Sequence, residues 1–206
     1  MNLTQEIINR KLDFVPSVVV SNGRIEIAEI GISINLMDDY IIADNKDFKN
    51  FMLDYSFPKN LELNKKDKAG FENALFPPIF VLKKKEYCQP KIACYLFNTH
   101  ALKGQSNLNI RSITKYELMW AEYLVESKND RRVNVKRVNS NGINGSISEN
   151  YRYVYKSKSS DAKVLSNLRI LNFEINDYVL AFYIFDNEQN SMSNIELEKF
   201  IDGIKN

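Results

Sequence analysis

The chain has 206 residues, 44% hydrophobic and 26% charged, which suits one globular core and excludes a disordered protein. Its longest uncharged apolar run, Tyr178 to Phe185, is far shorter than the roughly 20 residues that cross a bilayer, and no apolar signal segment follows Met1. The formal net charge is +2, but it is unevenly distributed. Residues 101–170 carry 13 basic and 6 acidic side chains, whereas residues 171–206 carry 2 basic and 7 acidic ones. Such a distribution is typical of a polyanion binder or of oppositely charged segments that dock on each other.

The first half of the chain predicts a hairpin followed by helices and strands. Residues 18–20 and 24–36 are rich in strand-forming side chains, and Asn22-Gly23 between them suits a tight turn with positive φ. The apolar positions of the second segment change phase at Ala28-Glu29, which predicts a β-bulge. Asp38-Asp39 predicts a turn before a short strand at 40–42. Spacing beyond these elements predicts helices near 4–12, 44–55 and 67–75 and strands at 79–82 and 92–97.

The second half predicts two further hairpins. Residues 108–113 are interpreted as a strand, and Thr114 as the cap of a helix with apolar residues at helical spacing. Strands are predicted at 131–138 and 151–156. The Asn-, Gly- and Ser-rich segment 139–148 between them is predicted as a flexible hairpin loop, with a domain boundary as the alternative. The second hairpin, 168–175 and 178–185, turns at Asn176-Asp177, and its apolar second strand is predicted to be central.

The last predicted elements complete the fold class. Ser160 indicates a brief helical segment, and Ser193 is predicted to cap a final helix with Ile195, Phe200 and Ile204 on its apolar face. Together the patterns predict a single α+β domain over residues 1–206, with a mostly antiparallel or mixed sheet and about four helices.

Several chemistries are excluded by residues that the sequence lacks. His100 is the single histidine, so mechanisms that need two histidines, such as HExxH metalloproteases, are closed to this chain. The seven glycines form no phosphate-binding loop, and there is no G-x-S-x-G nucleophile elbow. The sequence therefore favours a cytoplasmic binding protein over an enzyme, without a cofactor and without a membrane partner. Its abundance of Asn, Lys and Ile is typical of AT-rich genomes and indicates no particular task.

The even spacing of Cys88, Cys94 and His100 invites a metal-site interpretation. In a single strand, however, the first and last of these residues would lie about 40 Å apart, at about 3.3 Å per residue. Zinc ligands must lie within about 2.3 Å of one ion. We therefore predict buried thiols and no metal site.

A Mg²⁺-dependent nuclease of the PD-(D/E)xK type remains an alternative, because it needs no histidine. Clustered carboxylates hold the ion in such enzymes, and a lysine assists the attacking water. Asp44-x-Lys46 is the one acid-x-Lys triplet that follows a predicted strand, which makes Asp44 and Lys46 the candidate catalytic residues. A helix-capping role explains Asp44 without further assumptions and is the favoured interpretation of this residue. Its upstream partners would be drawn from Glu26, Glu29, Asp38 and Asp39.

The strongest positive feature is a basic predicted hairpin over residues 128–158. Tyr151, Tyr153 and Tyr155 are predicted to project to one face of its second strand. Cations neutralise phosphates, and aromatic rings on a sheet stack on unpaired bases. Buried tyrosines beside a solvated, charged edge explain the pattern as well. The cations of this predicted hairpin are Lys128, Arg131, Arg132, Lys136, Arg137, Arg152, Lys156 and Lys158.

Three hypotheses follow for the function. In the first, the protein binds RNA or DNA, alone or in a nucleoprotein complex, through the basic hairpin and its tyrosines. In the second, it is a protein-interaction module such as an inhibitor, an immunity protein or an assembly factor. In the third, it is the nuclease around Asp44 and Lys46.

Overall fold

The computed structural model describes residues 12–43, 78–87, 90–99, 109–115, 134–149, 151–156, 163–186 and 189–206, with the backbone alone at 151–156 and 163–166. These residues are mostly β. Their helical elements are a 3-10 turn at Ala28–Ile30, a helical segment over 110–115 and the helix Asn194–Asp202. Their strands are β1 Val18–Ser21, β2 Arg24–Ile27, β3 Ile32–Asn35, β4 Tyr40–Ile42, β5 Phe80–Lys84, β6 Lys91–Asn98, β7 Val135–Ser140, β8 Ile143–Ser148, β9 Tyr151–Lys156, β10 Lys163–Ile175, β11 Tyr178–Asp186 and β12 Ile204–Lys205.

The small sheet has the strand order β1-β2-β3-β12 and is antiparallel throughout. The predicted tight turn between β1 and β2 is confirmed, since Asn22 and Gly23 have φ of 49° and 72°. The predicted β-bulge at Ala28-Glu29 is wrong. A 3-10 turn ending at Gly31, with φ of 66°, reverses the chain there so that Ile27 pairs with Ile32. The apolar phase changes because the chain starts a new strand.

The long sheet has the strand order β4-β5-β6-β11-β10-β8-β7, and β9 also pairs with β10. The predicted hairpin of β10 and β11 is confirmed, with Asn176 at φ of 53° in its turn. β11 is central, as predicted, because it lies between β6 and β10. The sheet is antiparallel at every pairing of the described residues.

Residues 139–148, predicted as a flexible loop, form a tight hairpin instead. β7 and β8 pair from Val135↔Ser148 to Ser140↔Ile143, and Asn141-Gly142 makes a two-residue turn with φ of 49° and 88°. β8 and β9 then pair with successive stretches of β10, but their registers differ by one residue, since Ile147 faces Leu171 while Tyr151 faces Leu168. The chain thus accommodates one extra residue between β8 and β9, as at a β-bulge.

The core lies between the two sheets. Isoleucines of β2 and β3 pack with residues of β10 and β11 on the facing side of the long sheet. The rings of Phe182 and Phe200 meet edge to face with centroids 5.1 Å apart, a favourable aromatic geometry. The C-terminal helix therefore contributes to the same core. The fully buried residues of this core include Ile25, Ile27, Ile34, Phe173, Phe182, Ile184 and Phe200.

The C-terminal helix begins where the sequence predicts. The Ser193 side chain accepts from the Glu196 amide and the Glu196 carboxylate accepts from the Ser193 amide, a reciprocal capping box. Its predicted apolar face is partly wrong. Ile195 is 67% exposed, and Ile204 lies beyond the helix in β12, where it pairs with Ile34.

The predicted α+β class with about four helices is wrong, because the described residues form a mostly β fold with two helices, one of them short. Segment 108–113, predicted as a strand, contains the start of the helical segment 110–115. The predicted helices near 4–12, 44–55 and 67–75 and at Ser160 fall outside the described residues, and the single-domain organisation stays a prediction. Within the described ranges, no helix is long and apolar enough to span a bilayer.

Candidate functional site

Two of the predicted nucleic-acid-binding side chains are described, and both are exposed on β7: Lys136 and Arg137. Five more residues lie on β9, where only the backbone is described: Tyr151, Arg152, Tyr153, Tyr155 and Lys156. Four lie outside the described residues, namely Lys128, Arg131, Arg132 and Lys158. The candidate catalytic residues Asp44 and Lys46 are also outside them, so the nuclease stays a prediction.

The basic hairpin predicted from these residues does not form. β7 pairs with β8, and β9 pairs with β10, so the two basic strands are not neighbours in the sheet. Lys136 and Arg137 also point to opposite faces, because side chains alternate along a strand. Val138, two residues from Lys136, packs against the inter-sheet core, which places Arg137 on the outer face of the long sheet. Of the predicted nucleic-acid-binding side chains that the structure describes, Arg137 is therefore the one that lies on the outer face of the long sheet.

A half-open groove of about 480 Å³ lies on that outer face. It opens between the helical segment 110–115 and the edge of the long sheet formed by β7, β8 and β10. Two arginines, Arg111 and Arg137, and one carboxylate, Glu174, line it, and the other polar groups are carboxamides. Among the described residues, the lining consists of Asn109, Ile110, Arg111, Arg137, Val138, Asn139, Asn144, Gly145 and Glu174.

The sheet register places three of these polar residues in one row. Asn139 of β7 pairs with Asn144 of β8. Glu174 of β10 lies two residues beyond Asn172, which pairs with Ser146, and Asn144 lies two residues before Ser146 on the same face. Adjacent strands are about 4.8 Å apart, so the row crosses about 10 Å of the sheet. The groove thus has Glu174 at one side and β7, the last strand of the long sheet among the described residues, at the other.

A buried hydrogen-bond network fixes the helical segment over this sheet. The Thr114 hydroxyl lies 2.7 Å from Ser146 Oγ and accepts from Asn172 Nδ2 at 2.7 Å. Ser146 Oγ also donates to the Ile110 carbonyl at 3.0 Å. Because all three side chains are buried, their mutual hydrogen bonds offset the cost of removing them from water. Arg111 is thereby held beside β7 and β8.

Gly145 allows β8 to approach β10 closely at the base of the groove. A Cβ at this position would lie 2.7 Å from the Asn172 carbonyl oxygen and 2.7 Å from the Phe173 ring. Real Cβ atoms do not approach so closely, and the neighbours are backbone and a fully buried ring. The glycine is therefore required by packing on the core face of the sheet, since Phe173 belongs to the inter-sheet core, and only its backbone borders the groove.

The groove offers more hydrogen-bond donors than acceptors. The Oδ1 of Asn109 accepts from the Ser112 amide at 3.1 Å, and the Oδ1 of Asn139 accepts from the Gly142 amide at 3.0 Å. These bonds leave the amide nitrogens of both side chains to bind a ligand. Arg111 and Arg137 are exposed, and no carboxylate of the described residues pairs with either. Such a lining suits an anionic ligand rich in acceptor oxygens.

A second polar cluster lies on the opposite face, beside the C-terminal helix. Asp186 is fully buried and accepts from Asn167 Nδ2 at 2.9 Å, from Arg169 Nη2 at 3.0 Å and from the Met192 amide at 3.0 Å. Arg169 also donates to the Met192 carbonyl at 2.7 Å. The cluster ties the end of β11 to the segment before the C-terminal helix, so its role is structural.

Tyr40 extends this cluster towards the surface. Burial, reinforced by the nearby carboxylates of Glu196 and Asp39, raises the pKa of its phenol well above the usual value. Lys84 lies 5.8 Å from the centre of the Tyr40 ring and 2.6 Å from a Glu196 oxygen. Tyr40 is therefore a neutral, packed phenol at physiological pH and not a general base.

The described residues hold no group of three potential metal ligands. Cys94 is buried in the core of β6, as predicted, and burial raises the pKa of its thiol. Cys88 and His100 lie outside the described residues.

Most of the groove was missed by sequence analysis. Arg111 had been placed in a predicted strand, and Asn139 and Asn144 in a predicted loop. One available signal was Asn141-Gly142, which repeats the turn dipeptide found at Asn22-Gly23 and therefore indicates a second tight hairpin. Glu174 carries no local signal, because only the pairing of β10 with β8 brings it to this groove.

Comparisons with known proteins identify a fold but no family. No protein-family model matches the chain, and no curated protein is significantly similar to it. Among solved structures, it is similar to the solution structure of cyanobacterial PsbP (CyanoP) from Synechocystis sp. PCC 6803, with a TM-score of 0.52 and 11% sequence identity over 94% of each chain. At this identity the likeness shows the fold alone.

Proposed function

We propose that this protein binds single-stranded nucleic acid and that the groove beside Arg111 and Arg137 is its contact site. The observation that carries the proposal is the donor-rich lining of the groove. In such a complex, phosphate and base oxygens accept from the guanidinium groups of Arg111 and Arg137, which no described carboxylate pairs, and from the amide nitrogens of Asn109 and Asn139. The proposed function is the one predicted from the sequence, but the proposed binding site is the outer face of the long sheet instead of the predicted hairpin.

Charge supports a polyanion over a neutral ligand. The segment 101–170, which supplies Arg111, Arg137 and most of the groove, has a surplus of seven positive charges. Arg is the side chain best suited to phosphate, because its planar fork donates two parallel hydrogen bonds. Lys136, on the other face of β7, adds to the general field without lining the groove.

Size supports a single strand over a duplex. The row from Asn139 to Glu174 spans about 10 Å, which is two strand spacings. A duplex is read by a protein element that protrudes into its major groove, which is about 12 Å wide. The site is a recess of the protein surface and not a protruding element, so it suits a single strand better. A half-open recess of about 480 Å³ has room for one unstacked nucleotide. Extruded bases of single strands are the groups that proteins commonly read in such recesses.

The direct test is binding of a fluorescently labelled single-stranded oligonucleotide, followed by anisotropy across a salt titration. We expect binding that weakens with salt and that is lost in an R111E/R137E variant with an unchanged circular dichroism spectrum. Polyglutamate serves as the competitor that separates nucleic acid from acidic protein. Absence of binding by the wild type at low salt, or displacement by polyglutamate as effective as by unlabelled oligonucleotide, contradicts the proposal.

A second candidate function, protein interaction, is favoured by the small sheet. β1 is its edge strand among the described residues, and Val19 and Val20 on it are 52% and 50% exposed. An edge strand with exposed apolar side chains is suited to accept an added strand from a partner protein. Under this alternative the occupant is an extended apolar segment of another protein.

The alternative is tested by co-purification with V19K and with V20K. A specific partner that is retained by the wild type and lost by both variants supports protein interaction at β1. A partner retained equally by both variants, or none at all, counts against it. Neither variant touches the groove, so nucleic-acid binding measured on the same preparations reports on the first proposal independently.

A further inference from the structure

We propose that the groove selects guanine, with the Glu174 carboxylate accepting from the base and Arg137 and Arg111 neutralising its phosphate. The inference rests on the proposed nucleic-acid function and adds the identity of the base. Its ligand is a guanine nucleotide, either within a strand or free. The observation behind it is that Glu174 is the single carboxylate that the described residues contribute to an otherwise donor-rich lining.

A carboxylate discriminates among bases by the pattern of donors that it meets. Its two oxygens accept hydrogen bonds and donate none. The Watson–Crick edge of guanine presents two adjacent donors, N1–H and the N2 amine, which match both oxygens. On the same edge adenine and cytosine present one donor next to an acceptor nitrogen, and uracil or thymine presents one donor between two carbonyl oxygens. In each case a lone pair faces the second carboxylate oxygen and repels it. Guanine is therefore the one base whose Watson–Crick edge donates a hydrogen bond to each of the two Glu174 carboxylate oxygens.

The neighbours of Glu174 complement the rest of the guanine edge. Asn144 is adjacent to Glu174 across the sheet, and Asn139 is one strand further in the same row. The Asn139 Oδ1 is already occupied by the Gly142 amide, which leaves its Nδ2 as a donor. Guanine O6, next to N1–H on the base, is in reach of the nearer carboxamide, that of Asn144, whereas the Asn139 donor lies further along the row. The Glu174 carboxylate and the Asn144 carboxamide thus present an acceptor and a donor side by side, which is the pairing that N1–H and O6 of guanine require.

The phosphate position follows from the two arginines. Arg137 lies two residues from Asn139 on the same face of β7, which is about 7 Å along the strand. Arg111 faces it from the helical segment that the Thr114 network holds over β8. A nucleotide whose base lies on the Asn139–Glu174 row therefore places its phosphate towards the two guanidinium groups. This arrangement separates the recognition of the base from the attraction of the charge.

The test measures dissociation constants for labelled single strands that are identical except for one central base. We expect the strand with central guanine to bind about tenfold more tightly than the others, the discrimination usual for one bidentate base contact. Glu174→Gln, which keeps the size of the side chain, is expected to remove most of this preference while the salt dependence of binding is unchanged. Glu149→Gln, an exposed carboxylate outside the groove, is the matched control and is expected to keep the preference.

The outcomes separate the inference from the function on which it rests. Equal affinity for all four bases, or a guanine preference that persists in Glu174→Gln, overturns the inference while strand binding still stands. No binding to any strand overturns the function and the inference together. Competition by guanosine monophosphate over adenosine monophosphate, lost in Glu174→Gln, identifies a free nucleotide as a ligand of the groove, whereas a preference confined to strands identifies guanine within a chain.

Discussion

Lys136 and Arg137 are neighbours on β7, yet only Arg137 lines the outer groove, while Lys136 lies on the opposite face of the sheet. Both side chains are exposed and both carry one positive charge. This relationship turns adjacent residues into a matched pair for testing where an anionic ligand binds. It separates a localised site from a general attraction to a basic surface.

Charge reversal at the two positions is therefore expected to have unequal effects. R137E should weaken oligonucleotide binding at least tenfold, because it removes a phosphate contact and places a second carboxylate in the groove. K136E should weaken it by a small factor that disappears as salt is raised, since it acts through the screened long-range field alone. Equal losses in the two variants, measured by anisotropy at two salt concentrations, would show that the groove is not the site.

Gly145→Ala is expected to destabilise the fold by about 1–3 kcal/mol, because the added methyl group collides with backbone and a buried ring. The measurement is urea unfolding followed by circular dichroism. Asn144→Ala, an exposed change at the adjacent residue, is the control and is expected to shift stability by less than about 0.5 kcal/mol. A Gly145→Ala variant as stable as the wild type would mean that β8 and β10 do not approach as closely as described.

Asp186→Ala is expected to cost about 3–5 kcal/mol, because it leaves the buried Arg169 guanidinium without its counter-ion. Replacing both partners, as in R169M/D186L, is expected to recover much of this loss, since no uncompensated charge remains buried. The readout is the urea midpoint of each variant. A single variant no less stable than the double variant contradicts a tightly coupled buried pair.

The Lys84–Glu196 pair is expected to make part of the free energy of unfolding depend on pH in the acid range. Burial alone would raise the pKa of Glu196, but hydrogen bonds from Lys84 and Ser193 outweigh it and hold the pKa below the usual value. A carboxyl whose pKa is lowered on folding stabilises the protein above its unfolded pKa, and this stabilisation is lost as the pH falls through the folded pKa. E196Q should therefore cost about 1 kcal/mol at neutral pH, and this cost should shrink progressively as the solution is made acidic.

At alkaline pH the stabilisation by the Lys84–Glu196 pair is lost as the pH rises, the reverse of its behaviour in acid. The hydrogen bond to Glu196 raises the pKa of Lys84, although burial opposes the shift. Its stabilisation is present below the ordinary lysine pKa and is lost as the pH rises through the raised value. The check is urea unfolding of E196Q at acid, neutral and strongly alkaline pH, with the exposed Glu198→Gln as control. An E196Q deficit that does not change with pH would contradict the pairing.

Local patterns were sufficient to predict some elements of this fold. The β10–β11 hairpin follows from continuous apolar strands around Asn176, and the helix capped by Ser193 follows from a capping box. β8 was missed because its outward-facing Ser146 is buried by hydrogen bonds to Thr114 instead of by apolar contact. The inward face of β8 carries only Ile143 and Ile147 on either side of Gly145, so its hydrophobic alternation is weak and its composition resembles that of a loop.

The site required tertiary information for the same reason. Arg137 was predicted from its basic surroundings, but Arg111 and Glu174 are distant in sequence and join it only through the helical segment and the pairing of β10 with β8. No periodicity in the sequence encodes that juxtaposition. The predicted class of ligand could therefore be stated from charge, whereas the groove that we propose for it could not.

The central claim is that Arg111 and Arg137 contact phosphate, and the salt dependence of binding tests it most directly. For a single strand, each phosphate contact contributes about 0.7 to the slope of log affinity against log salt. Removing both guanidinium groups in R111Q/R137Q is expected to reduce that slope by about 1.4 relative to the wild type. A double variant whose slope equals that of the wild type would contradict the account, whatever its absolute affinity.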